Sequence, residues 1–202
     1  MIRVHAVERL RNLYAGETAW IVGKGPSLLH LRAEHFGNGP VITLNQSVLI
    51  VQELGLSNEI YSMQKDGCGA THAEARCQRC GHRPPMTYPH EDVTVILQEP
   101  NFSEFCLWEH KKRLWVNVQD LGFEIESEMA IRMVIKLAQV MGCKTLVLLC
   151  CDSLTNGSLE TLDLDTRQSA LTSAGQYYEY VAPLVMGDLE QIDHRFITPE
   201  AI

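Results

Sequence analysis

Along the chain, short apolar runs alternate with stretches whose apolar residues recur at helical spacing. Ala19-Trp-Ile-Val-Gly23 is a compact apolar run closed by glycine, and a capped helix is expected after it, so Ala19 to Phe36 reads as strand, loop and helix. Val41 to Leu44 reads as a second strand, Ser47 to Leu54 as a short helix ended by Gly55, and Glu59 to Met63 as a third strand leading to Asp66. Val93 to Leu97 and Leu114 to Val118 are further strands. Ser127 to Met141 is the clearest helix, with Ser127 placed to cap it and Gly142 to stop it. Thr145 to Cys150 is an unbroken apolar run, as expected of a central strand covered on both faces. From Ser173 onward the pattern gives one helix over Ala174 to Met186, disturbed at Pro183, and then a loop.

Strands that alternate with helices and read as buried on both faces imply the α/β class, with a doubly wound, mostly parallel Rossmann-like sheet. A length of 202 residues suits one domain over 1–202. Residues 67–90, from Gly67 to His90, break the rhythm and read as a Cys/His-rich insertion within that domain. The composition, 46% hydrophobic and 21% charged, is that of a folded chain and argues against disorder.

The formal charge of −8 repels phosphate backbones, so general nucleic-acid binding and attachment to anionic membranes are disfavoured. A local basic pocket for one small anion remains compatible with it. No stretch approaches the roughly 20 apolar residues of a membrane span, and the first residues form neither a secretory signal nor a transit peptide. A cytoplasmic protein is therefore expected, an oligomer being compatible with this composition. Its seven cysteines are expected to be thiols or metal ligands rather than disulfides.

Gly23-Lys24-Gly25-Pro26-Ser27 carries the most chemistry. Glycines at 23 and 25 let the backbone turn sharply at a strand end and approach a ligand closely. Pro26 suits the first turn of a helix and Ser27 can cap it. The free amides of such a turn favour an anion, and Lys24 adds a positive charge. The spacing is neither a P-loop nor a full G-x-G-x-x-G, and a tight turn chosen for packing alone is the competing reading.

The string Trp20-Ile-Val-Gly-Lys-Gly-Pro-Ser-Leu28, followed some twenty residues later by a strand ending in Asn45-Gln46, resembles two related groups. One is the bacterial lipooligosaccharide sialyltransferases, with a G-x-G-P-S-L turn and a C-N-Q strand end. The other is the MptE-like 6-hydroxymethylpterin diphosphokinases, with the same turn, a third strand ending in Asp and a later G-x-D strand end. Tyr61-Ser-Met-Gln-Lys-Asp66 and Leu148-Leu-Cys-Cys-Asp152 look like those last two features, although Cys150 stands where the Gly would be. The similarity spans Ala19 to Asp66 and, more loosely, Glu128 to Asp152. It implies nucleotide contacts at Gly23, Gly25, Ser27 and Asn45, with Lys24, Pro26 and Gln46 as their neighbours in the same motifs.

Asp66 and Asp152 fall at expected strand carboxyl ends, where each can hold magnesium on a diphosphate or orient a sugar hydroxyl, a helix cap or turn being the simpler alternative. A glycosyl transfer also needs a base, for which His110 is the candidate, with His90 beside it. Tyr177 and Tyr178, opening the last helix, are further phosphate contacts to consider. The run Cys68-x3-His72-x4-Cys77-x2-Cys80-Gly81-His82 has the elements of a structural zinc site: Cys68, Cys77 and Cys80 with either His72 or His82. Arg76, Arg79 and Arg83 make this insertion locally basic, while Cys106, Cys143, Cys150 and Cys151 sit in apolar surroundings and read as core.

The resemblance thus implies a nucleotide-dependent transferase, glycosyltransferase-like, using a CMP- or UDP-sugar donor and an acceptor the sequence does not identify. The alternatives are a diphosphokinase using ATP and magnesium, and a non-catalytic nucleotide-binding or assembly protein with a zinc knuckle.

Overall fold

A computed structural model describes residues 4–64, 89–99, 110–124, 129–155, 160–163, 168–171 and 175–200. Seven strands form one wholly parallel sheet: β1 (Thr18–Val22), β2 (Val41–Leu44), β3 (Ile60–Gln64), β4 (Thr94–Glu99), β5 (Arg113–Asn117), β6 (Thr145–Leu149) and β9 (Asp193–Ile197). Their order is β5-β4-β3-β2-β1-β6-β9. Among the described residues, five α-helices accompany them: α1 (Ala6–Leu10), α2 (Val48–Val51), α3 (Ala130–Val140), α4 (Asp152–Thr155) and α5 (Gly175–Leu189). Between α4 and α5 an antiparallel pair, β7 (Glu160–Asp163) and β8 (Gln168–Leu171), stands apart from the main sheet. The expected α/β class and parallel, Rossmann-like sheet are therefore present. The Cys/His-rich insertion lies outside the described residues except for its last two positions.

The sheet is apolar on both faces at its centre, which is why β1 and β6 read as continuous apolar runs rather than alternating ones. On one face Ile21, Ile42, Met63, Ile96 and Leu148 meet Met133, Leu137 and Ala138 of α3, Met141 just beyond its end, and Val185 of α5. On the other, Trp20, Val22, Val41, Val147 and Leu149 meet Leu28, Leu31 and Val51. The second face is covered mainly by 3-10 turns and the single turn of α2: a capped helix was expected after β1, and the short helix expected over Ser47 to Leu54 is split between 3-10 turns and α2.

The end of α3 shows how its orphan carbonyls are satisfied. Gly142 takes φ +80, a left-handed conformation suited to glycine, and ends the helix as expected. The carbonyls of Val140, Met141 and Gly142 then accept the amides of Asn12, Tyr14 and Gly16, so the segment after α1 caps α3. At the opposite end Met129 occupies the cap position with no side chain capping it, and Ser127 lies outside the described residues.

Three further differences appear. The segment after α5 is a strand, β9, rather than a loop; as an edge strand it is only partly buried and lacks a continuous apolar signature. The last helix continues through Pro183 to Leu189. A short helix, α1, precedes the first strand, and the chain before it runs beside β5, the Trp115 amide donating to the Val4 carbonyl at 2.8 Å. No helix among the described residues is long and apolar enough to cross a membrane.

Candidate functional site

From β1 the chain adds β2, β3, β4 and β5 in one direction, then returns to place β6 on the other side of β1. The strand order reverses between β1 and β6. In open α/β sheets that reversal opens a crevice at the strand carboxyl ends, the position at which ligands bind. The loops that meet there are Gly23-Lys24-Gly25, leaving β1, and Cys150-Cys151-Asp152, leaving β6.

These two loops are locked together. The Gly23 amide donates to the Leu149 carbonyl at 2.8 Å and the Gly25 amide to the Cys150 carbonyl at 2.9 Å. A Cβ on Gly25 would stand 1.8 Å from Asp152 Oδ2, and one on Gly23 would stand 2.4 Å from the Cys150 carbonyl oxygen. Ser27 Oγ donates to Asp152 Oδ2 at 2.8 Å, both residues being buried. Both glycines are thus required by the contact between the β1 and β6 loops, and their amides are already bonded. Ser27 is not the helix cap anticipated from its position: Gly25 precedes the turn, and Pro26–His30 is a 3-10 segment, not an α-helix. The expected array of free first-turn amides is reduced accordingly.

Cys150 has φ +55, the left-handed region that a bulkier residue rarely takes. The Gly of the resembling strand end would take this conformation without strain, and Cys150 adopts it in that glycine's place. Burial pushes the Cys150 thiol up to about 12, partly offset by the Ser27 hydroxyl, and pushes that of Cys151 higher still. Both are therefore neutral thiols near pH 7 and poor nucleophiles, consistent with their reading as core.

Beside this strut the polar groups are more accessible. Lys24 Nζ donates to Gln46 Oε1 at 3.1 Å, joining the loops that follow β1 and β2. Asn45 takes φ +49, and its carbonyl accepts Gln64 Nε2 from the end of β3 at 2.8 Å. Ser47, expected only to open a short helix, donates to the Val22 and Leu44 carbonyls at 3.0 Å and accepts the Leu44 amide. Ser47 and Gln64 hold the carboxyl edge in register. A glutamine closing the largely apolar Ile-Tyr-Ser-Met-Gln run was the signal for the latter. Lys24, Pro26, Asn45 and Gln46 are half-buried, whereas Gly23, Gly25, Ser27 and Asp152 are buried.

Asp66 lies outside the described residues, two positions beyond the end of β3. Cys68, His72, Cys77, Cys80 and His82 also lie outside them. No group of three His, Cys, Asp or Glu side chains that could hold a metal occurs among the described residues. The backbones of Tyr177 and Tyr178 belong to α5.

The histidines are at the wrong edge for the role expected of them. His110 is buried, its Nε2 2.7 Å from the Val93 carbonyl, and these two residues precede β5 and β4. His90 pairs with Glu53 at 3.1 Å, and its amide donates to Gln52 Oε1. Both sit at the amino edge of the sheet. Strands of four to six residues separate them from the Gly23–Gly25 loop by roughly 15 Å. Neither can take a proton from a group held at that loop.

The amino edge has its own polar cluster. Tyr14 and Tyr61 hydroxyls lie 2.8 Å apart and both donate to Glu59 Oε2, at 2.5 and 2.8 Å. Burial, together with hydrogen bonding to Glu59, holds both phenols far above their usual range; the Tyr14 hydrogen bond, then that of Tyr61, holds the Glu59 carboxyl below its own. Raised tyrosine values in the folded state stabilise it fully below the unfolded value of about 10 and lose that effect as pH rises beyond. The lowered Glu59 value stabilises above the unfolded carboxyl value of about 4.3 and loses that effect as pH falls. Stability should therefore decline above about pH 10, and Tyr14→Phe/Tyr61→Phe should flatten that decline in urea unfolding at stepped pH. While the protein is folded, two of its six tyrosines should stay silent in a phenolate absorbance titration over this range.

Compared with protein-family models and with curated proteins, the chain matches none.

Proposed function

We propose that the carboxyl edge between β1, β2 and β6 holds the phosphate-bearing part of a nucleotide, and that the chain is a nucleotide-dependent transferase of the glycosyltransferase-like kind. The observation that carries this reading is the junction of the β1 and β2 loops beside the strand-order reversal, where Lys24 meets Gln46. It provides a cation and a side-chain amide at the crevice where an α/β sheet receives a nucleotide phosphate. The likeness of this segment to the sialyltransferase turn supports an activated sugar as the donor.

In this mechanism the acceptor oxygen attacks the anomeric carbon. The bond from that carbon to the phosphate oxygen breaks, its electron pair leaves on the phosphate, and Lys24 stabilises the charge that develops. Gln46 holds the Lys24 ammonium in place, and Asn45 lies next to it on the same turn. Asp152 acts through its carboxylate, bracing Ser27 and the Gly25 turn. Its commitment to Ser27 weighs against a magnesium-holding role in a diphosphokinase. The proton of the acceptor goes to a base other than His110 or His90.

Thermal unfolding in the presence of CMP, UDP, GDP and ATP, each with and without magnesium, tests this reading. A ligand at a hundredfold excess over its Kd stabilises the folded state by about 2.7 kcal/mol, or roughly 5–10 °C for a chain of this size. The expected result is a shift with a pyrimidine nucleotide, independent of magnesium, with affinity about tenfold weaker in Lys24→Ala. A shift only with ATP and magnesium would transfer the assignment to phosphoryl transfer. A nucleotide bound without any turnover of its sugar conjugate would favour a binding or assembly role. No shift with any of them would remove the nucleotide site.

A further inference from the structure

At the amino edge, remote from the β1 and β6 loops, lies a cleft of about 590 Å³, within the size range of small-molecule sites. Its walls come from α1 and the turn after it, the start of β3 and the entries to β4 and β5. Four cations line it, Arg9, Lys111, Lys112 and Arg113, against two carboxylates, Glu59 and Asp92. This is an excess of positive charge in a chain whose formal charge is −8.

The charges are not consumed equally. Lys112 Nζ donates to the backbone carbonyl of Asp92 at 2.8 Å, a neutral partner that leaves the ammonium charge uncancelled at that contact. Lys111 pairs with Glu91 at 2.8 Å, but both side chains are about three-quarters exposed, and such a pair yields readily to another anion. Glu59 is oriented by the two tyrosine hydroxyls, both on Oε2, while Oε1 takes no such bond among the described residues. The cleft therefore offers, side by side, a group of cations and one aimed carboxylate oxygen.

From this juxtaposition we infer that the amino-edge cleft is a second ligand site, for a phosphorylated polyol of sugar-phosphate size. Arg9 and Lys112 take the phosphate, and Glu59 Oε1 accepts a hydroxyl of the same molecule. The phosphate answers the positive charge left in excess in the cleft, and the hydroxyl is what a held carboxylate selects. Because the site is at the opposite sheet edge, the ligand is distinct from a nucleotide held at Lys24. The inference stands whether or not that nucleotide reading holds.

Isothermal titration at low ionic strength, with glucose phosphate, inorganic phosphate and glucose as probes, tests it. Glucose phosphate should bind more tightly than inorganic phosphate, and glucose alone should not bind measurably. Arg9→Ala/Lys112→Ala, which removes two exposed side chains, should weaken glucose phosphate at least tenfold, and Lys24→Ala should leave it unchanged. Glu59→Gln should weaken glucose phosphate while leaving inorganic phosphate alone. Binding abolished by Lys24→Ala, affinity indifferent to Arg9→Ala/Lys112→Ala, or inorganic phosphate binding as tightly as glucose phosphate would each overturn the assignment.

Discussion

Gly25→Val is expected to lower stability by between about 2 and 6 kcal/mol. The backbone at residue 25 is not the obstacle, since its φ of −72 suits any residue. The obstacle is Asp152, whose Oδ2, Cγ and Cβ would stand 1.8, 2.6 and 2.8 Å from the new Cβ. To make room the carboxylate must swing away, and it then abandons the Ser27 hydroxyl inside a buried site. Overpacking costs about 1–3 kcal/mol, and a buried carboxylate stripped of its hydrogen bond adds about 1–3 kcal/mol. Against a total of roughly 5–15 kcal/mol for a folded domain, that is a large share.

Urea unfolding measures it directly. Gly25→Ala should behave like the valine variant, and Asp152→Ala in the Gly25→Ala background should recover part of the loss by removing the two closest atoms. Gly187→Ala makes the contrast: it lies within α5 with open space around it, so it should gain about 0.5–1 kcal/mol. If Gly25→Ala cost less than 1 kcal/mol, the loops would be free to part, and the glycine would be there for a ligand rather than for Asp152. It also follows that loss of nucleotide binding in Gly25→Val would report on folding, which is why Lys24→Ala is the better probe of the site.

Ala19 to Val22 and Leu146 to Leu149 were legible as strands because both faces of the sheet are covered there, so nearly every position must be apolar. Asp193–Ile197 was not, because an edge strand needs little cover and carries Asp193, His194 and Arg195 without penalty. The glycines at 23 and 25 were recognisable from their spacing, but the partner that demands them, Asp152, lies more than a hundred residues away. The same contact draws Ser27 inward and leaves a 3-10 turn where a capped helix was expected. Asp152 was placed at its strand end by pattern, yet its service to Ser27 depends on β6 lying beside β1, which strand order alone decides. His110 was chosen by residue type; the edge of the sheet on which it lies is set by its position before β5, not after it. Residue type and local spacing named the chemistry available, and topology decided which groups share a site.

Asp188→Ala is the second large effect, expected at about 3 kcal/mol. Asp188 stands near the end of α5 with its side chain only 8% exposed, and Arg132 of α3 meets it with two nitrogens, Nε at 2.5 Å and Nη2 at 3.2 Å. Lys136, one turn further along α3, adds its ammonium at 3.5 Å. The guanidinium also lies over the Phe123 ring, 4.9 Å from its centroid, which fixes its plane. Removing the carboxylate takes two charge-assisted hydrogen bonds from a largely buried guanidinium, and their loss dominates the cost. Arg132→Met should cost less, because Lys136 still faces the carboxylate and a methionine fills the space against Phe123. Arg132→Met combined with Asp188→Ala should be more stable than the sum of the single losses predicts, by at least about 1 kcal/mol, since neither charge is then left alone. Urea unfolding of the three variants closes the cycle. Additive losses, or a loss below 1 kcal/mol for Asp188→Ala, would mean that water solvates the guanidinium at this seam. The α3–α5 contact would then rest on the apolar burial of Met133, Leu137, Val181, Val185 and Leu189 alone.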